Sequence, residues 1–218
     1  MKILSLTVGQ VRTNCYLIES DGEVGIIDPG DDADFIIRKI TDSGAKPVWI
    51  LSTHGHFDHV LAVSELALTY QIPYYLNPKD NFLLKRAKET AEHFLKISVD
   101  PILTKPKYFS SASQAWLGVG KLEFKIIETP GHSQGGICLY CQKEKVIFTG
   151  DTLFARGLIG KTTMQYCSQE DLEKSLEKIF KLPAETLLYP GHGEESTLGK
   201  TKKEYIQRTK NPAHSGIS

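Results

Sequence analysis

The amino-acid sequence predicts an α/β (α+β) protein in which two β-sheets pack face to face and helices cover their outer faces. Three observations predict it. Apolar runs of strand length alternate with amphipathic segments of helical period along the whole chain. A meander of strands followed by helix occurs twice, once in each half. The 218 residues are 40% hydrophobic and 24% charged, enough for one sizeable core, and no linker or composition break divides them. Residues 1–218 are therefore expected as a single domain, with 196–218 as a C-terminal tail.

The elements follow in order. KILSLTV (2–8), NCYLIES (14–20) and EVGIIDPG (23–30) read as a meander, and Asp21-Gly22 between two apolar runs is a strong hairpin signal. In DADFIIRKITDSG (32–44), Phe35, Ile36, Ile37 and Ile40 fall at helical spacing and Gly44 is a natural stop. PVWILST (47–53) is a buried strand, LAVSELALTYQ (61–71) a helix and PYYLN (73–77) strand-like. DNFLLKRAKETAEHFLK (80–96) is a helix with an aspartate at its start. Residues 98–114 carry Pro101, Pro106 and serines without periodicity, which reads as a surface loop. KLEFKIIETPG, ICLYCQ and KVIFTGD return to strands. SQEDLEKSLEKIFKL is an amphipathic helix capped by Ser168, and ETLLYPGHG is a last strand.

Composition excludes several classes of function. Lysine plus arginine equals aspartate plus glutamate at 26 each, so the chain has no overall electrostatic footprint for nucleic acid or an anionic membrane. No apolar run reaches the length of a membrane span, and the N-terminus reads as a strand rather than a signal peptide. Four scattered cysteines are too few for a disulfide scaffold and suit a reducing cytoplasm. Cys138 and Cys141 form a Cys-x-x-Cys inside a strand; residues three apart there point to opposite faces, so they are expected to be structural.

The chemistry gathers at four places, each just after an apolar strand: THGHFDH, TPGHS, TGDT and PGHG. If those strands lie side by side, their ends bring five histidines (His54, His56, His59, His132, His192) and two aspartates (Asp58, Asp151) to one edge. Imidazole and carboxylate suit Zn²⁺, Fe²⁺ and Mn²⁺, and the absence of cysteine from the set points away from a purely structural zinc site. His54 and His56 are two apart on an extended segment and can face the same way. Seven ligands exceed the needs of one tetrahedral ion, whereas two ions sharing a carboxylate, roughly 3.5–4 Å apart, use them all. His93 and His214 stand in stretches without further ligands and are left out of the set.

THGHFDH matches the His-x-His-x-Asp-His signature of the metallo-β-lactamase fold superfamily. TPGHSQGGICLY, FTGDTLF and YPGHGEESTLGKTKKEY resemble the later motifs of its small glyoxalase II-like hydrolases, and TNCYLIES and IIDPGDD are similar to that group as well. The resemblance implies a four-layer αβ/βα sandwich with the site at one edge of the sheets. It implies that His54, His56 and His132 hold one ion, that Asp58, His59 and His192 hold the other, and that Asp151 bridges them. Asp58 is also a possible proton acceptor. Asp28, in IIDPG, reads either as a carboxylate that orients a ligand histidine or as a turn aspartate before Pro29.

The resemblance further implies a thioester hydrolase of the hydroxyacylglutathione type. Two divalent ions, zinc first with iron or manganese acceptable, would hold a bridging hydroxide from water acidified to about pKa 7. The implied partner is a small thioester, with S-lactoylglutathione the first candidate; no nucleic acid and no membrane are expected, and no oligomeric state is assigned. Lys161 follows Gly160 much as the glutathione-contacting lysine does in glyoxalase II. Thr163, however, stands where a tyrosine is expected, and the C-terminal helical domain of full-length glyoxalase II is missing. Arg156 reads as a second substrate cation or as a solvated loop charge. A mononuclear iron persulfide dioxygenase on His54, His132 and Asp151 is the alternative of a different class, and lactone or other ester hydrolysis is the chemical neighbour.

Overall fold

The computed structural model describes residues 1–109 and 116–210. Positions 110–114 of the expected loop, and His214, lie outside the described residues. One sheet has the order β1 (Lys2–Val8), β2 (Thr13–Ser20), β3 (Glu23–Ile27), β4 (Lys46–Leu51), β5 (Tyr74–Tyr75). Its first three strands form the antiparallel meander, turned at Asp21 and Gly22 with φ of 50° and 79°, the left-handed pair that a tight hairpin requires. Helices α1 (Ala33–Ser43) and α2 (Val63–Tyr70) then make crossovers, so β3, β4 and β5 run parallel. Helix α3 (Asn81–Leu95) follows.

The second sheet is built of β6 (Trp116–Val119), β7 (Leu122–Glu128), β8 (Ile137–Cys141), β9 (Val146–Gly150), β12 (Leu187–Pro190) and β13 (Ser196–Thr197). From β6 to β9 it is antiparallel; β12 pairs parallel with β9. Between β9 and β12 come a short ribbon of β10 (Leu153–Phe154) and β11 (Leu158–Ile159), then α4 (Gln169–Ile179). Ser168 caps α4 by accepting the Asp171 amide at 3.1 Å. Segment 196–210, expected as a tail, is ordered as β13 and helix α5 (Leu198–Lys210), because Leu198 and Thr201 find a buried face.

Three apolar layers hold the sandwich. Tyr16, Ile18, Ile27, Trp49 and Leu51 of the first sheet meet Phe124, Ile126, Leu139 and Phe148 of the second. Outside the first sheet, Ile36 and Ile40 of α1 and Leu66 of α2 cover Leu17, Ile26 and Ile50. Outside the second, Leu172, Leu176 and Ile179 of α4 cover Tyr140, Ile147 and Leu188. Each fully buried side chain of this size contributes about 1.5–3 kcal/mol of transfer free energy. Trp49 adds a polar tie between the sheets, its Nε1 donating to the Gly118 carbonyl at 2.6 Å. The result is the four-layer αβ/βα arrangement. Cys141 belongs to the inter-sheet layer and Cys138 to the layer under α4, the opposite faces expected of strand residues three apart. All four cysteines are free, and among the described residues no helix is long and apolar enough to cross a membrane.

Candidate metal centre

Strands β4, β7, β9 and β12 all end at one edge of the sandwich, and the loops after them carry the seven predicted residues. His54 and His56 follow β4, and Asp58 and His59 lie in a single helical turn, Phe57–His59. His132 follows β7, Asp151 follows β9 and His192 follows β12. Gly191 lets this edge close: an added Cβ there would lie 2.3 Å from Asp151 Oδ1 and 2.8 Å from His59 Cε1.

His54, His56 and His132 converge. His56 Nδ1 lies 2.9 Å from His54 Nε2 and 3.0 Å from His132 Nε2. The outward nitrogens fix which ring atoms carry protons. His132 Nδ1 donates to the Lys161 carbonyl at 2.8 Å, leaving Nε2 bare. Thr53 gives its hydroxyl proton to Asp28 Oδ2 at 2.8 Å and so accepts from His54 Nδ1 at 3.1 Å. His56 Nε2 meets the Tyr166 hydroxyl at 2.9 Å. The bare Nε2 atoms of His54 and His132 both face His56 Nδ1, which carries at most one proton, so at least one of these close pairs sets lone pair against lone pair, which is unfavourable unless a cation lies among them.

Asp58, His59 and His192 form the second group. His192 Nε2 is 3.2 Å from Asp58 Oδ2, and His59 Nε2 is 3.5 Å from the same oxygen. The Arg12 carbonyl sits 3.3 Å from His192 Nδ1, and Asp28 Oδ2 lies 3.1 Å from His59 Nδ1. Thr13 donates to Asp58 Oδ2 at 3.1 Å. Asp151 stands between the groups, its Oδ2 3.6 Å from His132 Nε2 and 3.7 Å from His192 Nε2. His59 is fully buried, yet neither ring nitrogen makes a well-aligned hydrogen bond, and Asp151 Oδ1 is equally orphaned. Buried polar atoms without partners are costly, so the donors fit a bound cation. Each of the sets His54–His56–His132, Asp58–His59–His192 and His54–His59–Asp151 is compact enough to hold one ion.

The two groups differ in charge. Burial, reinforced by the neighbouring imidazoles, pushes His54 well below the ordinary histidine range and His56 down to about 4, so the first group stays neutral. Burial opposes charge on His59 as well, but Asp58, Asp28 and Asp151 outweigh it and push His59 up to about 10. For Asp58, burial is likewise outweighed, here by His59 and His192, and its carboxyl is held below the usual range.

Asp28 is buried beneath the cluster, with φ of 51°. It accepts the Thr53 amide at 2.7 Å, touching His59 directly and His54 through Thr53. Lys161 is exposed and lines a cavity beside His132 and Asp151. Arg156 lies in the turn between β10 and β11 and lines a different cavity, its Nε donating to Glu194 Oε1 at 2.8 Å. His93 belongs to none of the compact ligand sets, and its ring is edge-on to Phe94.

Two residues the sequence reading passed over belong to this site. Asp80, read as the start of α3, makes no capping bond to that helix. It is fully buried and accepts from Gly55 N at 3.0 Å, Ser133 Oγ at 2.7 Å and Gly135 N at 2.6 Å. It thus fastens the loop of His54 and His56 to the loop of His132. Tyr166 supplies a phenol three residues beyond Thr163, where the sequence had drawn attention to a missing tyrosine. Neither had a signal beyond residue type, because both act across gaps of dozens of residues.

A sequence profile of the metallo-β-lactamase superfamily matches residues 8–192, and the chain belongs to that superfamily. It is 33% identical over 206 residues to the hydroxyacylglutathione hydrolase GloC of Haemophilus influenzae, an alignment covering 93% of this chain and 96% of that protein. Among solved structures, the BLEG-1 B3 metallo-β-lactamase is 32% identical with a TM-score of 0.84, over 99% of this chain and 100% of that one. TTHA1623 in a di-iron-bound form is 31% identical, also with a TM-score of 0.84, over 92% and 98%. The family is one of metallo-hydrolases whose fold binds divalent metals, and the His and Asp groups of this chain are compact enough to hold such ions.

Proposed function

We propose that this chain is a metal-dependent hydrolase that holds two divalent ions and cleaves thioesters of the hydroxyacylglutathione type. The observation that carries the reading is the aim of the histidines: carbonyl, carboxylate and hydroxyl groups occupy the outward nitrogens of His54, His59, His132 and His192, so the inward nitrogen of each points into the cluster, bare on His54 and His132 and freed on His59 when its Nε2 proton is displaced. His54, His56 and His132 hold one ion and Asp58, His59 and His192 the other, with Asp151 shared. Ions in these positions supply Lewis acidity toward a carbonyl oxygen and acidify water. Zinc is the first candidate for a nitrogen-rich set without sulfur, and iron and manganese accept the same donors.

The protein's own side chains do the rest. Asp28, through Thr53 and His59, fixes tautomers in both groups, and Asp80 keeps the two histidine loops in register. Asp58, already accepting from Thr13, is the carboxylate positioned to take a proton. A thioester suits such a site because thiolate departs more readily than an amine and needs less protonation. Likeness to GloC supports that choice of bond, and the four free thiols suit a reducing cytoplasm.

The test is metal content measured in the same preparation as hydrolysis of S-lactoylglutathione and oxygen uptake with glutathione persulfide. About two metals per chain with thioester cleavage and no oxygen uptake is the expected result. One iron with oxygen uptake moves the protein to the dioxygenase chemistry, and two metals without thioester cleavage overturns the thioester reading.

A further inference from the structure

A cavity of about 560 Å³ opens beside His132 and Asp151 and runs beneath α5. Phe154, Leu158 and Ile159 of the ribbon and Tyr205 of α5 give it apolar walls, and Lys161 and Arg208 give it two cations. Apart from Asp151, no carboxylate among the described residues lines it. Lys161 and Arg208 make no ion pair among the described residues, so both charges are available to a ligand in the cavity.

The α5 wall is fixed relative to the metal centre. Arg208 Nε donates to the Arg156 carbonyl at 2.8 Å, which anchors the guanidinium and leaves its terminal nitrogens unspent. The turn between β10 and β11 presses against the helix at Gly157, where φ is 66° and an added Cβ would lie 2.2 Å from Tyr205 N. At the other end of the ribbon the backbone beside Gly160 abuts the Asp151 carbonyl and the His132 ring. Helix, ribbon and histidine loop are thus packed directly against one another.

We infer that α5 makes this cavity a selector for substrates with one arm of apolar body ending in a carboxylate. Arg208 and Lys161 bind the carboxylate, and Tyr205, Leu158 and Ile159 bind the body. The reaction performed on such a substrate rests on the hydrolase reading above; the recognition rests on the cavity alone.

The experiment uses the metal-loaded full chain and two probe pairs, S-(4-carboxybenzyl) thioacetate with its carboxamide, and the S-methyl thioester of 4-carboxyphenylacetic acid with its carboxamide. In at least one pair kcat/KM favours the carboxylate, and Arg208→Gln or Lys161→Gln lowers that preference about 5–10-fold, mainly through KM. Arg208→Lys keeps the charge but not the bond to Arg156, and it retains the preference. No preference in the wild type, or one untouched by either glutamine variant, overturns the proposal. A loss in Arg208→Lys as large as in Arg208→Gln also overturns it, since the effect then belongs to the anchoring of the helix. If neither pair is cleaved, the thioester reading fails by itself. Calorimetric binding of the uncleavable thioether 4-(ethylthiomethyl)benzoate and its carboxamide then decides recognition: a carboxylate held by a metal alone binds Arg208→Gln as tightly as the wild type, which again refutes the cation pair.

Discussion

Asp80→Asn is the substitution whose outcome the structure fixes most tightly. The native carboxylate takes two donors on Oδ2, the Gly55 amide and the Ser133 hydroxyl, and one on Oδ1, the Gly135 amide at 2.6 Å. Asparagine has one acceptor oxygen. With that oxygen toward Gly55 and Ser133, its NH₂ faces the Gly135 N–H, donor against donor; flipped, it satisfies Gly135 and sets the NH₂ against the Gly55 N–H. Either way one buried backbone amide loses its partner and the remaining bonds lose their charge. The first effect costs about 1–3 kcal/mol and the second adds roughly 1, so the variant is destabilised by ~2–4 kcal/mol. Burial pushes the Asp80 carboxyl above the usual carboxylate range even against these three donors, which places the expectation in the lower half of that interval. Thermal unfolding of the metal-free variant falls by roughly 5–10 °C for a chain of this size. Asp80→Ala, which strands both amides and leaves a cavity, falls further. Because the loops of His54, His56 and His132 lose their common anchor, metal affinity drops about 10–100-fold as well. A denaturation midpoint within about 1 °C of wild type, with metal content unchanged, would falsify the assignment of Asp80 as the tie between the loops.

Three further outcomes follow from the same geometry. Asp151→Ala removes the carboxylate standing between His132 and His192, so metal content per chain and turnover fall together; retention of two ions by elemental analysis refutes the bridging role. Asp28→Asn leaves a carboxamide against both the Thr53 hydroxyl and His59 Nδ1, so the tautomers of His54 and His59 are no longer dictated; metal affinity by chelator competition weakens about 10–100-fold, and an unchanged value counts against the orienting role. Loading the metal-free protein at pH 8 releases protons, because His59 is pushed up to about 10 by Asp58, Asp28 and Asp151 against its burial and must give up its Nε2 proton to bind. Calorimetry in two buffers of different ionisation enthalpy reads that release, and a buffer-independent heat contradicts it.

The parts of this protein legible in its sequence are those whose cause is local. Asp21-Gly22 states a hairpin by its backbone preferences, Ile36 and Ile40 state a helix face by spacing, and THGHFDH states a metal-binding loop by density of donors. The order of strands also carried, because His132, Asp151 and His192 each sit directly after an apolar run, and parallel pairing of β9 with β12 then brings their loops together. What the sequence left unread has its cause across the chain. The ribbon strands β10 and β11 and the edge strand β13 are two residues each, too short for any period to show. Asp80 looks like a cap because a carboxylate before a helix usually is one; its actual partners are Gly55, 25 residues before it, and Ser133 and Gly135, 53 and 55 residues after. The segment from 196 was read as a tail because α5 is polar along most of its length, with only Leu198 and Thr201 buried. Such a helix is held by one short buried row, by backbone fit to Gly157 and by the Arg208 bond, and none of these leaves a long periodic mark. The same polarity that hid the helix from pattern reading leaves Arg208 free to face the cavity, so the segment least visible in the sequence is the one from which substrate preference is expected to arise.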